Sequence, residues 1–350
     1  ELTERRHKGE GMLRPELSVL LSYSKIRLYQ QLLASDVPED SYLSRELVRY
    51  FPQVLQDRYA SYMQGHRLKR EIIATQVTNS MVNRMGASFT LRMHEDTGAE
   101  PAEVAKAYTV ARSVFEARDF WDRISNLDNK VDTDLQISAL LSMWDLLRQT
   151  TRWLLNLPDR KFNIQSMIDL LAPGLKILTR SIQKSLSAED VAMMQEQMQP
   201  YLDGGFSKAL ARRIVNLPFL FPSLDVVETA ARWNTDVRKV ADVFFGLGES
   251  LELRWLRGQV EALEVVGQWH ARARANLRDE LFTHQNLLVE RVLQASGGEA
   301  DPVSGWISAN EQSTKRVVDM MRDMKNHSDM DYATSTVAIR SLARLASETA

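Results

Sequence analysis

A single stripe limits what this chain can become. From Thr133 onward, Ile137, Leu140, Leu141, Trp144, Leu147, Thr151 and Leu154 recur every three to four residues. That spacing lays them along one face of an α-helix. A helix with one apolar face has to bury it against another layer of structure. Thr133-Asp134-Leu135-Gln136 reads as a capping box at its start, and Pro158 closes it. Upstream, Pro15 suits the first turn of a helix running to Leu33, which Ser35-Asp36-Val37-Pro38 stops. A short helix from about Ser41 ends at Phe51, Pro52 opens another, and Gly65 breaks it. The stretch from Arg67 to Arg84 has no Gly or Pro and predicts one long helix. Phe89, Leu91 and Met93 alternate like a strand, yet Phe89 with Arg92 and Met93 also suits a helix. Helix is expected there, because no plausible partner strand lies nearby. Gly98 to Pro101 is a stop and restart, and Val104 to Phe115 returns to helical spacing.

The second half reads the same way. Asn163 to Ser187 is helical, with a kink or a division expected at Pro173-Gly174. Ser187 to Asp190 looks like a cap, and Gly204-Gly205 an end. Leu217-Pro218 to Phe221-Pro222 is expected to be an apolar turn, with Thr235 capping a helix to about Phe245. Gly258 and Gly267 weaken a long helical stretch from Leu251 to Ala295. Gly297 to Pro302 is linker-like, and two helices, about 303–324 and 331–347, close the chain. Only 15 glycines and 10 prolines in 350 residues leave few tight turns. With no βαβ alternation and no fixed repeat, the expected class is all-α: irregular multi-helix bundles without a Rossmann domain. Two subdomains are expected, 1–157 and 158–350, with a weaker boundary near 297–302.

Composition removes several chemistries. No cysteine excludes disulfides, thiolate zinc sites and cysteine nucleophiles. A net charge of -2 gives no general grip on nucleic acid or an acidic membrane, so neither is expected as a partner. No apolar run approaches the roughly 18 residues that a span needs. The charged start, Glu1 to Lys8, carries no signal-peptide core, so a cytoplasmic place is expected. Beginning at Glu1 rather than Met suggests a piece of a longer chain. Gly9-Glu10-Gly11 and Gly246-Leu247-Gly248 are the only G-x-G pairs. Arg14 and Leu251 stand where the third glycine of a dinucleotide turn belongs, and neither pair follows a strand. Among the six histidines, His284 has an acid, Glu280, four residues away on the same helix face. One such pair is an ordinary surface contact rather than a metal site. The basic clusters Arg67-Lys69-Arg70, Arg152 with Arg160-Lys161, and Arg212-Arg213 read as solvated helix flanks. Met193, Met194 and Met198, with Met320, Met321 and Met324, read as core filling. No catalytic, cofactor-binding or metal-ligating residue is therefore assigned.

One segment departs from the rest. Thr75, Gln76, Asn79, Ser80, Asn83 and Arg84 form a polar stripe at helical spacing, with neither Lys nor Glu among them. A solvated face is usually rich in both. Amides and hydroxyls in this density suit a face that meets another polar surface, where their hydrogen bonds are satisfied.

That segment, REIIATQVTNSMVNR at 70–84, also carries a resemblance. Together with LRPELSVLLSYSKI at 13–26, ASDVPEDSYLSRELVRYFP at 34–52 and QTTRWLLN at 149–156, it resembles the C-terminal region of the large bacterial NAD-specific glutamate dehydrogenases. Looser matches follow at 209–230, 253–263 and 335–343, so the resemblance covers nearly the whole chain. It implies a parent that oxidatively deaminates L-glutamate to 2-oxoglutarate and ammonia as NAD is reduced. The family's catalytic lysine and aspartate and its NAD fingerprint have no matching positions here. The resemblance thus implies an all-helical module with a structural, interdomain or assembly role and no cofactor of its own. Its implied partners are the catalytic core of the same polypeptide and, in the parent, further copies of the chain. Two other readings stand beside it: an independent helical scaffold for protein interaction, and a helical-bundle enzyme with a carboxylate metal site. Leu13 stands where the family has a threonine, which removes a helix cap. Met85 stands where the first of two glycines is expected.

Overall fold

The computed structural model describes residues 2–158, 162–297, 301–327 and 329–349. Among these are nineteen α-helices and no strand, so the expected all-α class holds. The chain divides into two compact units. Unit 1 comprises Glu1–Ile124 and Leu140–Asp169, and unit 2 comprises Ser125–Ala139 and Leu170–Ala350.

Unit 1 holds α1 (Leu2–His7), α2 (Arg14–Leu33), α3 (Ser44–Tyr50), α4 (Gln53–Gln64), α5 (Lys69–Met85), α6 (Phe89–Thr97), α7 (Pro101–Val114) and α8 (Ala117–Ser125). It also takes most of α9 (Thr133–Asn156). Helix α5 packs on α2, α3 and α7. It can do so because Ile73, Val77 and Met81 follow at one-turn spacing and are buried. The ambiguous segment at 87–94 is helical, and Gly98 ends it in the left-handed conformation (φ +71°) that glycine adopts without strain. At the start of α2, Leu13 offers no side-chain cap, yet Glu16 Oε2 still accepts from the Leu13 N–H at 2.7 Å. That is the half of a capping box a leucine leaves possible. Met85 ends α5 inside the core, where its carbonyl accepts from Trp144 Nε1 at 3.0 Å.

Unit 2 is built from most of α10 (Ile164–Ser181), whose first turns belong to unit 1, and from α11 (Ala188–Asp203), α12 (Lys208–Leu220), α13 (Ser223–Arg232), α14 (Val237–Ser250), α15 (Leu253–Ala262), α16 (Gly267–Ala295), α17 (Pro302–Ala309), α18 (Glu311–His327) and α19 (Tyr332–Glu348). The long α16 lies against α14 and α19, and Phe244, Leu288 and Leu342 fill the space between helices.

Several local expectations give way to packing. Asp132, not Thr133, caps α9, its carboxylate accepting from the Asp134 N–H at 2.7 Å. The buried face of α9 is Ala139, Met143, Leu146, Leu147, Leu154 and Leu155, while Ile137 and Leu141 are exposed. Asp236 rather than Thr235 caps α14. Pro218 lies inside α12, and the turn is confined to 221–222. The stretch after Leu251 breaks at 263–266, directly before Gly267, while Gly258 sits within α15. Three helices, not two, close the chain. Arg160, Lys161 and the Gly298–Ala300 part of the linker-like segment lie outside the described residues.

Pro173-Gly174 does not divide α10, which is continuous from Ile164 to Ser181. Gly174 serves a close approach instead: a Cβ there would lie 2.7 Å from Cγ2 of Val227 on α13. Val227 is β-branched and buried, so it cannot swing aside. Gly174→Ala should therefore destabilise by about 1–3 kcal/mol through overpacking, against a helix-propensity gain of about 1 kcal/mol at most. Urea denaturation measures the balance, and a variant as stable as its parent would show that α10 and α13 separate freely.

Candidate functional site

The polar stripe of α5 opens onto a space that polar side chains from two further helices also line. It is a cleft of about 270 Å³ lined from α3 by Glu46, from α5 by Gln76, Asn79, Ser80, Asn83 and Arg84, and from α8 by Arg118, Trp121 and Asp122. Five of the six stripe residues thus share one cavity. Thr75 does not: its hydroxyl donates back to the Glu71 carbonyl at 2.7 Å.

Behind the cleft stands a buried charge cluster. Glu46 is 3% exposed despite its charge. Arg112 Nη2 donates to Glu46 Oε1 at 2.8 Å, and Arg118 Nη2 lies 2.7 and 2.6 Å from its two oxygens. Arg49 Nη1 joins at 3.3 Å. Burial pushes the Glu46 carboxyl up, but Arg112, Arg118 and Arg49 outweigh it and hold it below the usual carboxylate value. Burial, then Arg112, pulls the Arg118 guanidinium down, while Glu46 opposes them.

The stripe residues differ in what they do. The Ser80 hydroxyl accepts from Arg112 Nη1 at 2.8 Å and meets the Tyr108 hydroxyl at 3.0 Å. Tyr108 is fully buried, and burial raises its phenol above the ordinary value. Asn83 Oδ1 accepts from Lys25 Nζ on α2 at 2.8 Å. Arg84 stacks over Trp121, its guanidinium carbon 4.5 Å from the ring centroid. Gln76 and Asn79 line the cleft and are half-buried.

Sequence reasoning found the α5 side of this cleft and missed Glu46, Arg112 and Arg118. One signal was available: Arg112 is the lone charge near the end of the apolar run VAKAYTVARSVF. A charge embedded in a buried face requires a partner.

The remaining candidates do not assemble. Among the described residues no group of three His, Asp or Glu could hold a metal ion. Burial lowers the His284 imidazole against the opposing charge of Glu280. Met194 and Met321 are buried. No single described helix is long and apolar enough to cross a membrane. Helices α12 and α13 pass that test only as a pair bent by 66°, and their apolar residues, such as Ile214, Leu217 and Leu224, are buried in unit 2.

A family model for the C-terminal region of glutamate dehydrogenase matches residues 9–344. The NAD-specific glutamate dehydrogenase of Halomonas elongata is 38% identical over 349 residues, and that of Pseudomonas aeruginosa 35%. The corresponding Mycobacterium tuberculosis protein is 26% identical over 350 residues. Each match covers 99% of this chain but only 21–22% of the relative, so the chain spans about a fifth of their length.

Proposed function

The chain belongs to the glutamate dehydrogenase C-terminal family, and from that premise we propose that it is a non-catalytic helical module of a large NAD-specific glutamate dehydrogenase. The reaction, oxidation of L-glutamate to 2-oxoglutarate and ammonia with NAD, belongs in this reading to the rest of the polypeptide. The module docks against that remainder and supports its assembly.

The observation that carries this reading is where apolar surface remains uncovered. Of 23 large apolar side chains exposed among the described residues, 13 fall between Met12 and Leu68, on and around α2, α3 and α4. Val54 is 85% exposed, Tyr62 77% and Tyr23 68%. Scattered exposed apolar residues need no explanation, but such a concentration in one stretch marks an interaction surface. Tyr is also a favoured interface residue, because its ring buries area while its hydroxyl stays paired. In the relatives the matched region is about a fifth of a longer chain, which makes the other four-fifths the nearest available partner.

The test is a Val54→Asp, Tyr62→Lys double substitution in the intact polypeptide, with Val337→Asp in unit 2 as control. Val337 is also exposed but lies far along the sequence from this stretch. The double variant should lose glutamate oxidation or shift the assembly size, and the control should do neither. Unchanged activity and size in the double variant would remove the docking role. They would then favour an independent scaffold that binds some other protein.

A further inference from the structure

We infer that the cleft between α3, α5 and α8 is a binding site for a small oxyanion, a phosphate or carboxylate group on a ligand of few atoms. Its volume, about 270 Å³, lies just below the roughly 300–1,000 Å³ typical of drug-sized ligands.

The donors are present, held in place and not fully used. Arg84 makes no ion pair with any described carboxylate, and its guanidinium carbon lies over the Trp121 ring, 4.5 Å from the centroid. Arg118 is anchored to Glu46 through Nη2 alone, leaving Nε and Nη1 without a partner among the described residues. Neither the Gln76 nor the Asn79 amide hydrogen-bonds another described residue, and each offers two N–H donors. A guanidinium ordinarily loses rotamer freedom when it takes a ligand. Here stacking and the Glu46 anchor have already removed much of that freedom, which lowers the cost of binding.

The field agrees in sign. The cleft and the wall behind it hold four guanidiniums, those of Arg49, Arg84, Arg112 and Arg118, against two carboxylates. Glu46 is already engaged by three of the four. Asp122 is the one opposing group on the lining, and it can accept from a hydroxyl of the ligand. Lys25, across α5 and bound to Asn83, adds a further positive charge at the rim. A fork-shaped donor beside amides is the arrangement that reads planar carboxylates and phosphates.

The experiment is calorimetric titration of the intact protein with inorganic phosphate and, separately, with malonate. The wild type is compared with an Asn79→Leu, Arg84→Gln double variant. Both side chains reach solvent, so the variant should keep its melting temperature. Saturable heat with at least one anion is expected, weakened at least tenfold in the double variant. Arg84→Lys keeps the charge and loses the fork, and should weaken binding by a smaller factor. Preference for phosphate over malonate assigns the ligand to phosphorylated compounds, and the reverse to carboxylates. No saturable heat with either anion, or equal heat in wild type and double variant, overturns the inference. Loss of assembly in the double variant without any anion binding would instead make the cleft a protein contact, and the inference would be wrong.

Discussion

Replacing Glu46 by alanine is expected to destabilise the protein by about 3–5 kcal/mol, measured by urea denaturation. The magnitude comes from what is left behind. Arg112 has a side chain only 3% exposed, and among the described residues Glu46 is its one ion-pair partner. It would keep a hydrogen bond to Ser80 and its place near the Tyr108 ring, but its charge would be buried without compensation. Arg49 and Arg118 are about 40–50% exposed and can turn to water, so they add less. Removing both charges, in Glu46→Leu with Arg112→Met, should recover a large part of the loss, because desolvation of the ions then disappears too. A Glu46→Ala loss under about 1 kcal/mol would mean that the cluster is solvated and worth no more than a surface pair. The same cluster sets an acid response. The folded pKa of Glu46 lies below its ordinary 4.5, so its contribution is fully present above that value. It is lost as pH falls through the lowered folded value. Glu46→Gln should therefore lose stability less steeply in acid than the wild type does.

Phe244→Ala should cost a similar amount, about 3–5 kcal/mol, in unit 2. The ring is fully buried, with its centroid 5.2 Å from that of Phe245 in an edge-on arrangement. It sits on α14, which packs against both α13 and α16, so no single helix can move to close the void. Gln285 of α16 also donates to the Phe244 carbonyl at 2.9 Å, which ties the α14 backbone in place. Phe244→Leu refills part of the volume and should lose markedly less. If alanine costs less than about 1.5 kcal/mol in denaturant unfolding, the neighbours collapse into the gap and the core is softer than its burial suggests.

The helical class was legible because it rests on local signals. Helix α5 could be read from the absence of Gly and Pro, and the end of α6 from Gly98. Boundaries failed where two adjacent residues could both cap: Asp132 beside Thr133, and Asp236 beside Thr235. The face of α9 was misjudged at Ile137 and Leu141, because periodicity marks every apolar residue on a broad stripe, while burial depends on which neighbours arrive. Pro173 read as a breaker, but Gly174 lets α10 lie against Val227, and that contact favours keeping the helix whole. Half of the cleft was visible as the α5 stripe, since its residues repeat along one helix. Glu46 was invisible for the opposite reason. Its partners Arg112 and Arg118 stand 66 and 72 residues away, and no local pattern connects them.

The interrupted course of the chain through its two units sets an order of events during synthesis. Unit 1 cannot be completed when Ile124 leaves the ribosome, because it still lacks Leu140–Asp169. The intervening residues, Ser125–Ala139, belong to unit 2 and must wait longer still. At about 5–20 residues per second, the first helices stand for seconds without α9. Through that interval the carbonyl of Met85 has no Trp144 to accept from. A nascent chain stalled near residue 130 should therefore be readily cut by protease within α5, and one stalled well beyond Asp169 should resist.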